Sequence, residues 1–269
     1  MRYENATAIV TGGGHGIGRA LAEALAGRGA NVVVADVNIE RARRVADRIG
    51  GLAVPCDVGD PDAVTALVAT AADHYGPVDI AVSNAGITDL GPDLDSTPDQ
   101  VRRIVDVNLL AHVWMAQAVL PSMIDRGHGA LIQTISSAAL ITGPSGMGYT
   151  LTKHGALGFA EWVTLNHSAD GVRVVCLCPN AVYTGFLGRD EDREQDGPTP
   201  LDPKLAALGE VIEPEDCATC ALDALDAGRF LALPHPRVGE SFARKAADYD
   251  AWLRRTAPRV RRIRGQIGA

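Results

Sequence analysis

Cysteine, positive charge and long apolar runs are all scarce in this sequence of 269 residues. Its five cysteines, an odd number in a large chain, do not suit the framework of a disulfide-stabilised secreted protein. Lys and Arg number 25 against 33 Asp and Glu, and the net charge of −8 disfavours nucleic acid as a partner. No run approaches the ~18 apolar residues of a membrane span, and the first residues lack the apolar segment of a secretion signal. We therefore expect a cytoplasmic protein with no membrane or nucleic-acid partner.

Short apolar segments alternate with amphipathic ones along the chain. Runs of strand length lie at about residues 6–10, 31–35, 52–56, 78–83, 130–136, 172–178 and 230–233. Helical periodicity fills most intervals, the longest from Pro98 to Arg126, where we expect a break at Pro121. This alternation predicts an α/β protein with a parallel sheet covered on both faces. Because no repeat or linker divides the chain, we expect residues 1–269 to form one domain.

A glycine-rich loop follows the first predicted strand. Residues 11–18 read TGGGHGIG and lie between a strand and a helix, the context that a dinucleotide-binding loop requires. Gly12 allows a tight turn, Gly16 lets the backbone approach a pyrophosphate, and Gly18 lets the helix pack closely on the sheet. The N-terminus of the following helix offers phosphates free N–H groups and a positive dipole end. The predicted contact residues of this loop are Gly12, Gly14, His15, Gly16, Ile17 and Gly18.

An acidic residue ends the second predicted strand. Asp36 follows Gly18 by 18 residues, a spacing at which a carboxylate binds the adenine ribose hydroxyls and repels a 2′-phosphate. The next residue is Val37, which cannot hold an additional phosphate. The pattern therefore favours NAD over NADP, with NADPH-linked carbonyl reduction as the alternative.

Tyr149 and Lys153 stand four residues apart on a predicted helix and share one face. A phenol has a pKa of about 10 and is a poor base at neutral pH, but an ammonium one turn away favours the phenolate and lowers that pKa. Two serines, Ser136 and Ser137, end the strand that precedes this helix. Together these groups predict a site that moves a hydroxyl proton.

These motifs resemble those of the short-chain dehydrogenase/reductase family, over about residues 5–185. Residues 56–58, CDV, are similar to the segment that contacts adenine, residues 84–86 read NAG, and residues 179–184, PNAVYT, resemble the segment that holds the nicotinamide carboxamide. The resemblance implies a single-domain Rossmann fold whose doubly wound, seven-stranded parallel sheet has the order 3-2-1-4-5-6-7. It implies NAD-dependent exchange between a secondary alcohol and its ketone, with Tyr149 as the base or acid.

The resemblance also assigns roles to residues. Lys153 would bind the nicotinamide ribose, and Asn108 would support a water that relays the proton. The implied catalytic residues are Asn108, Ser136, Tyr149 and Lys153. The implied cofactor contacts outside the glycine loop are Asp36, Val37, Asp57, Val58, Asn84, Ala85, Gly86, Tyr149, Lys153, Pro179, Val182 and Thr184. Ser136 lies thirteen positions before Tyr149, the family's usual spacing, and is preferred because Ser137 would require a one-residue gap.

The chain departs from the family pattern in two places. Asn180 replaces the glycine after Pro179, and we expect it to keep the turn because Asn tolerates a left-handed backbone. The glycine-rich ending common in the family is replaced by residues 230–236, FLALPHP. His235 in this segment either reaches the substrate side or, as we prefer, is a loop residue near the surface.

The predicted substrate pocket is mostly apolar, which favours a hydrophobic or aromatic alcohol. Its predicted residues are Ile87, Ala138, Leu140, Met147, Tyr183, Phe186 and Leu187. Residues 185–212 are expected to form a substrate lid, and residues 239–269 a C-terminal helix with a basic tail. Six arginines between positions 254 and 264 suit an anionic partner, but a solvated tail or a contact between subunits is the preferred interpretation.

Two predicted helices carry enough apolar residues to suggest a contact between subunits. The predicted helices at about residues 98–126 and 149–169 carry more apolar residues than one sheet-facing stripe requires, including Trp114, Met115, Phe159 and Trp162. Related enzymes pair these two helices between subunits, which implies a homodimer or homotetramer. Cys217 and Cys220 form a CxxC without two further ligands, so no metal is predicted. A dinucleotide-sensing or scaffold protein without turnover is the alternative of another class.

Overall fold

A parallel sheet of seven strands runs through the computed structural model, which describes residues 2–88, 93–185 and 209–267. Every pairing in it is parallel, and the strand order is β3-β2-β1-β4-β5-β6-β9. The strands of the sheet are β1 (Thr7–Thr11), β2 (Asn31–Asp36), β3 (Leu52–Pro55), β4 (Val78–Ser83), β5 (Gly129–Thr134), β6 (Val172–Leu177) and β9 (Leu231–Ala232). Two short strands, β7 (Ala181–Val182) and β8 (Val211–Ile212), pair separately. The predicted order is confirmed, since β9 is the strand predicted at residues 230–233.

Helices cover both faces of the sheet. They are α1 (Gly16–Gly27), α2 (Ile39–Ile49), α3 (Pro61–Tyr75), α4 (Pro98–Val105), α5 (Ala111–Arg126), α6 (Ser137–Leu140), α7 (Met147–His167), α8 (Pro214–Asp226), α9 (Pro236–Ala247) and α10 (Tyr249–Ile267). Alternate strand residues face opposite layers, so Ile9 and Val33 pack with α3, α5 and α7, whereas Val10 and Val34 pack with α1, α2 and α8. The predicted doubly wound architecture is therefore confirmed.

The long helix from Pro98 to Arg126 is not broken at Pro121, as the sequence had suggested. Pro121 lies on the exposed side of α5, where water can hydrogen-bond the carbonyl that the missing N–H leaves free. The irregularity is instead a π-helical turn, Asp106–Leu110, between α4 and α5. By length and composition this helix could cross a membrane, but half of its most apolar stretch is buried, as in a core helix.

The C-terminal region forms two helices rather than one helix and a solvated tail. Arg264 of α10 donates to the Asp93 carboxylate at 2.8 Å and to the carbonyl oxygen of Ser145 at 2.7 Å. Lys245 of α9 is buried, and its ammonium donates to the carbonyl oxygen of Leu140 at 2.9 Å. These contacts hold α9 and α10 against the segment that follows β5.

Candidate active site

A cleft of about 1330 Å³ lies at the carboxyl ends of the sheet strands. Its walls come from the glycine loop, the ends of β2, β4, β5 and β6, helix α7 and the C-terminal helices α9 and α10. In open parallel sheets, ligands bind in such a crevice, where the strand order reverses. Here β1 and β4 are neighbours at that reversal, so the site occupies the position expected for the fold.

The glycine loop is shaped for a closely approaching ligand. Gly12 has φ +60° and Gly16 φ +53°, conformations that side chains other than glycine rarely adopt. A Cβ on Gly12 would lie 2.9 Å from the Cα of Ala85, and one on Gly18 would overlap the carbonyl of Gly12. Helix α1 begins at Gly16 without a side-chain cap, and the positive end of its dipole lies at this loop, where it favours an anion. These features fit a dinucleotide pyrophosphate.

The loop residues divide into two groups. Gly12, His15, Gly16 and Ile17 line the cleft, as predicted for direct contacts. Gly14 and Gly18 do not. Gly14 donates its N–H to the Asp36 carboxylate at 3.0 Å, and Gly18 packs beneath the loop.

Asn84 ties the glycine loop to the end of β4. Its side-chain amide donates to the carbonyl oxygens of Thr11 and Gly12 at 3.0 and 3.3 Å. The backbone N–H groups of Asn84 and Ala85 donate to the Thr11 hydroxyl, which itself donates to the carbonyl of Val82. The NAG segment therefore fixes the loop, while its residues Asn84, Ala85 and Gly86 also line the cleft.

Asp36 is buried at the far end of the cleft. Its carboxylate accepts from the N–H of Gly14 and, at 2.9 Å, from that of Asn38. Val37 beside it is three-quarters exposed and lines the cleft. Arg41, from the first turn of α2, lines the same end and places a positive charge near Asp36.

Asp57 and Val58 line the opposite wall of this end. Asp57 forms a salt bridge with Arg103 at 3.0 Å and accepts from the N–H of Gly59. Burial alone would raise the pKa of Asp57, but the hydrogen bonds from Arg103 and Gly59 outweigh it and hold this pKa below its usual value. The carboxylate therefore stays charged and fixed in place.

Tyr149 and Lys153 meet in the middle of the cleft, as their spacing predicts. The Lys153 ammonium lies 5.5 Å from the centre of the Tyr149 ring and donates to the carbonyl oxygen of Thr134 at 3.1 Å. Burial lowers the pKa of Lys153 to about 8. At neutral pH the ammonium is still mostly protonated, so a positive charge lies beside the Tyr149 ring.

Asn108 lies in the π-helical turn and is fully buried. Its side chain accepts from the N–H of Ile87 and donates to the carbonyl of the same residue, both at 2.8 Å. Because its side-chain oxygen and nitrogen both bond Ile87, Asn108 holds the loop after β4 in place. Asn108 does not line the cleft. The π-turn was not predicted, although such turns are frequent at functional sites.

The two serines make different contacts. Ser136 caps α6 by accepting from the N–H of Ala138 at 3.1 Å, which leaves its own proton free to donate. Ser137 donates to the side-chain oxygen of Asn180 at 3.2 Å. Both serines line the cleft.

The family described as short chain dehydrogenase matches residues 6–195 of the chain. The chain belongs to the short-chain dehydrogenase family. The family match makes it an oxidoreductase with a nucleotide-binding fold. Among other short-chain dehydrogenases, cyclohexanol dehydrogenase of Acinetobacter sp. (strain SE19) is 33% identical over 226 residues, which cover 81% of this chain and 86% of that protein.

Two further similarities extend over more of the chain. The 1-deoxy-11-beta-hydroxypentalenate dehydrogenase of Streptomyces avermitilis is 31% identical over 276 residues, which cover 97% of this chain and 98% of that protein. A short-chain dehydrogenase/reductase of Burkholderia phymatum, solved in complex with NAD, superposes with a TM-score of 0.81 at 25% identity and covers 93% of this chain and 96% of that one. The fold of this short-chain dehydrogenase is thus seen in a solved nucleotide complex.

The turn after Pro179 differs from the expectation for a short-chain dehydrogenase. Asn180 does not adopt a left-handed backbone. Its N–H donates to Nδ1 of His235 at 3.1 Å, and Nε2 of His235 donates to the carbonyl of Ala181 at 3.2 Å. His235 is buried rather than near the surface, and it lines the cleft while it holds this turn in place from the start of α9. Pro179, Val182 and Thr184 line the cleft as predicted.

The predicted substrate pocket needs correction. Ala138 and Ile87 line the cleft, whereas Leu140, Met147 and Tyr183 do not. Leu140 is a core residue, Met147 is partly exposed, and the backbone of Tyr183 bonds Ile212 beside the β7–β8 pair. Phe186 and Leu187, with most of the predicted lid, lie outside the described residues. Among the described residues, 141–146 and the helices α9 and α10 form the wall, a long-range packing that the sequence pattern did not show.

The burial of His112 was not predicted from the sequence. His112 lies one turn after Asn108 and is buried, and neither ring nitrogen has a hydrogen-bond partner among the described residues. Burial and, secondarily, the charge of Lys153 lower the pKa of His112 to about 3, so the imidazole is neutral. Within the described ranges no three His, Cys, Asp or Glu side chains form a metal-binding group.

Proposed function

We propose that this short-chain dehydrogenase oxidises a secondary alcohol on a largely apolar frame to the ketone, with NAD as the cofactor. The observation that carries the proposal is the placement of Tyr149 and Lys153 in the same cleft as the glycine loop. Relatives named for cyclohexanol and 1-deoxy-11-beta-hydroxypentalenate support an alcohol on a ring system.

Tyr149 is the group that moves the proton in this proposal. As the phenolate it accepts the proton of the substrate hydroxyl, and as the phenol it returns a proton to the ketone oxygen in the reverse direction. The Lys153 ammonium favours the phenolate, and its bond to the Thr134 carbonyl fixes where that charge lies. NAD, when bound, supplies the acceptor for the hydride.

The neighbouring residues orient the reacting groups. Ser136 donates its free hydroxyl proton to the substrate oxygen, while its lone pair stays on the Ala138 N–H. Asn108 keeps the loop at Ile87 in place, and the π-turn around it alters the backbone hydrogen bonding beside Lys153. We propose that a water held there passes the proton on.

Asp36 supports NAD over NADP. A 2′-phosphate about 4 Å from this carboxylate would meet a repulsion of ~4 kcal/mol per unit charge at an effective dielectric constant of 20. Solvent and counterions reduce that value, yet ~2 kcal/mol still gives about thirtyfold discrimination. The carboxylate cannot easily turn away, because two backbone N–H groups hold it.

NADPH-linked carbonyl reduction is the second candidate, and Arg41 is the observation in its favour. Its side chain lines the same end of the cleft as Asp36 and brings a positive charge within reach of a phosphate there. If Arg41 determines the preference, NADP would be used at least as well as NAD.

The cofactor preference is tested by kcat/KM with NAD and with NADP. We expect NAD to be favoured by about thirtyfold or more, and the double variant Asp36→Ala/Val37→Arg to remove most of this difference. Arg41→Ala should leave the preference intact, as should Arg43→Ala, the matched control, whose side chain pairs with Glu40 outside the cleft. Equal efficiency with both cofactors in the wild type, or a wild-type preference for NADP that Arg41→Ala removes, supports the second candidate.

Turnover itself separates an enzyme from a dinucleotide-sensing protein. Cyclohexanol, 1-phenylethanol and sorbitol form a panel of cyclic, aromatic and polyol alcohols, followed by the absorbance of the reduced nicotinamide. We expect the first two to be oxidised faster than sorbitol. NAD binding without turnover across such a panel would favour the sensor.

A further inference from the structure

The substrate end of the cleft is lined by arginines. Arg237 and Arg244 come from α9, and Arg255 and Arg259 from α10. Arg244 donates to the Ser241 hydroxyl and lies 3.8 Å from Glu240. Within the described ranges, the side chains of Arg237, Arg255 and Arg259 make neither a hydrogen bond nor an ion pair.

Few acids in the described part of this end offset these charges. Asp93 lines the cleft but is already paired with Arg264 at 2.8 Å. Glu210 and Glu240 are the remaining carboxylates of the wall in the described ranges. Asp36 and Asp57 lie at the other end, each held by its own donors. The described residues of the substrate end therefore carry a local excess of positive charge in a protein of net charge −8.

The arginines of α10 separate onto two sides of the helix. Arg255 and Arg259 are one turn apart and share the cleft side with Thr256, Val260 and Ile263. Arg254, Arg261 and Arg262 line a small surface pocket on another side. We call Arg255 and Arg259 the cleft pair. The helix that carries this pair is held in place because Arg264 bonds Asp93, Pro144 and Ser145.

Apolar side chains surround the cleft pair. Trp252, Val260 and Ile263 of α10, with Val238 of α9 and Ile141 after β5, add a hydrophobic wall to the same cleft. This arrangement suits a molecule that has an apolar frame and one charged group. The planar guanidinium groups of two arginines match a carboxylate better than a neutral polar group.

We propose that the substrate is a hydroxy acid with an apolar frame, whose carboxylate binds to Arg255 and Arg259 while its hydroxyl reaches Tyr149. The proposal rests on the proposed function and names the class of substrate for the same site. Binding the carboxylate also selects which end of the molecule enters the cleft first.

A matched pair of alcohols tests the assignment. We expect kcat/KM for trans-4-hydroxycyclohexanecarboxylate to exceed that for cyclohexanol by at least about tenfold. The double variant Arg255→Ala/Arg259→Ala should lower the ratio of the two values by at least about tenfold. In the control Arg254→Ala/Arg261→Ala, which removes the same charge from the other side of α10, the ratio should stay at its wild-type value.

A binding measurement keeps the test independent of turnover. Cyclohexanecarboxylate, which has no hydroxyl to oxidise, should bind the wild-type protein in calorimetry, more weakly the Arg255→Ala/Arg259→Ala variant, and normally the control. If cyclohexanol is preferred, or if both double variants weaken the carboxylate equally, the hydroxy-acid assignment is wrong. If the carboxylate binds as expected but neither alcohol is oxidised, the anion site stands and the proposed function fails.

Discussion

At the scale of single residues, replacing Tyr149 with phenylalanine tests whether its phenol transfers the hydroxyl proton of the substrate. No other tyrosine of the described chain lines the cleft. We expect Tyr149→Phe to lower kcat to less than about a hundredth, because a positioned acid or base contributes that much or more. NAD binding should change only a few-fold, since the glycine loop and Asp36 are untouched. Steady-state kinetics and calorimetry measure the two effects.

The control for that variant is Tyr183→Phe. Tyr183 is close in sequence to the cleft residue Val182, but its backbone pairs with Ile212 and its side chain does not line the cleft. This control should keep near-normal turnover. A Tyr149→Phe enzyme with about a tenth of the wild-type rate would show that another group moves the proton.

Ser136 and Ser137 can be ranked by replacing each with alanine. We expect Ser136→Ala to reduce kcat by roughly 100-fold, the effect of losing a positioned hydrogen-bond donor. Ser137→Ala should cost much less, because its proton is directed to Asn180. Each variant serves as the control for the other in the same assay. The opposite ranking would mean that Ser137 is the donor and that the alignment contains a one-residue gap.

His112 predicts a pH dependence of stability. Its folded-state pKa of about 3 lies below the unfolded value of about 6.5. The unfolded chain therefore binds a proton that the folded chain excludes, and stability falls as pH drops from about 6.5 towards 3. At ~1.4 kcal/mol per pH unit, His112 should cost ~2 kcal/mol on going from pH 6.5 to 5.

Urea unfolding of His112→Leu at pH 7.5 and pH 5 measures this contribution. The variant should lose less stability at pH 5 than the wild type does, and should match or exceed it at pH 7.5, since no described partner is lost. His74→Leu, which removes an exposed imidazole at the end of α3, serves as the control and should keep the wild-type pH dependence. An unchanged pH dependence in His112→Leu would contradict the neutral, buried state.

At the scale of elements, Lys245 fixes α9 and α10 on the substrate side. Its ammonium bonds the Leu140 carbonyl and lies 5.3 and 5.2 Å from the rings of Tyr249 and Trp252. We expect Lys245→Met, which keeps the length of the side chain, to increase hydrogen exchange across α9 and α10. KM for the alcohol should rise several-fold while NAD affinity is unchanged. Exchange in α1 to α3 is the internal control, and unchanged exchange in α10 would show that Lys245 is not the anchor.

The elements also show what local sequence determines. The strands were predicted because apolar runs of strand length reflect burial on both faces of a parallel sheet. The glycine loop was predicted because the left-handed backbone at Gly12 and the contact beneath Gly18 admit few other residues. Strand burial and the glycine-loop conformation each restrict the residue types at neighbouring positions. Both can therefore be predicted from a short segment of sequence.

The substrate side depends on contacts between distant parts of the chain. Arg264 donates hydrogen bonds to Asp93 and Ser145, which lie 171 and 119 positions earlier in the chain. No local sequence pattern predicts contacts over such separations. The same is true of His235, whose burial follows from Asn180 on another segment. The arginine-rich stretch therefore looked like a solvated tail until α10 was placed on the cleft.

At the scale of the whole molecule, α7 presents an apolar outer face. Leu151, Trp162 and Leu165 are 56%, 54% and 83% exposed, and Trp162 stacks on Phe159. Met115, predicted to share this surface, is instead in the core. Side chains of this size on one exposed helix face suit a contact between subunits. We expect a homodimer or homotetramer at micromolar concentration.

Light scattering after gel filtration tests this assembly. Trp162→Glu/Leu165→Glu should shift the protein to a smaller species, because burying two carboxylates opposes association. The control Leu94→Glu changes an equally exposed leucine outside α7 and should keep the wild-type mass. A wild-type monomer would contradict the expectation.

The contacts of Arg264 also set the order in which the two halves of the cleft can form during translation. The glycine loop, β4 and α7 are all synthesised well before α10. At roughly 5–20 residues per second, roughly 10 to 30 s separate the synthesis of Asp93 from that of Arg264, 171 residues later. A nascent chain can thus assemble its nucleotide half first, and its arginine-lined half closes only once α10 has left the ribosome.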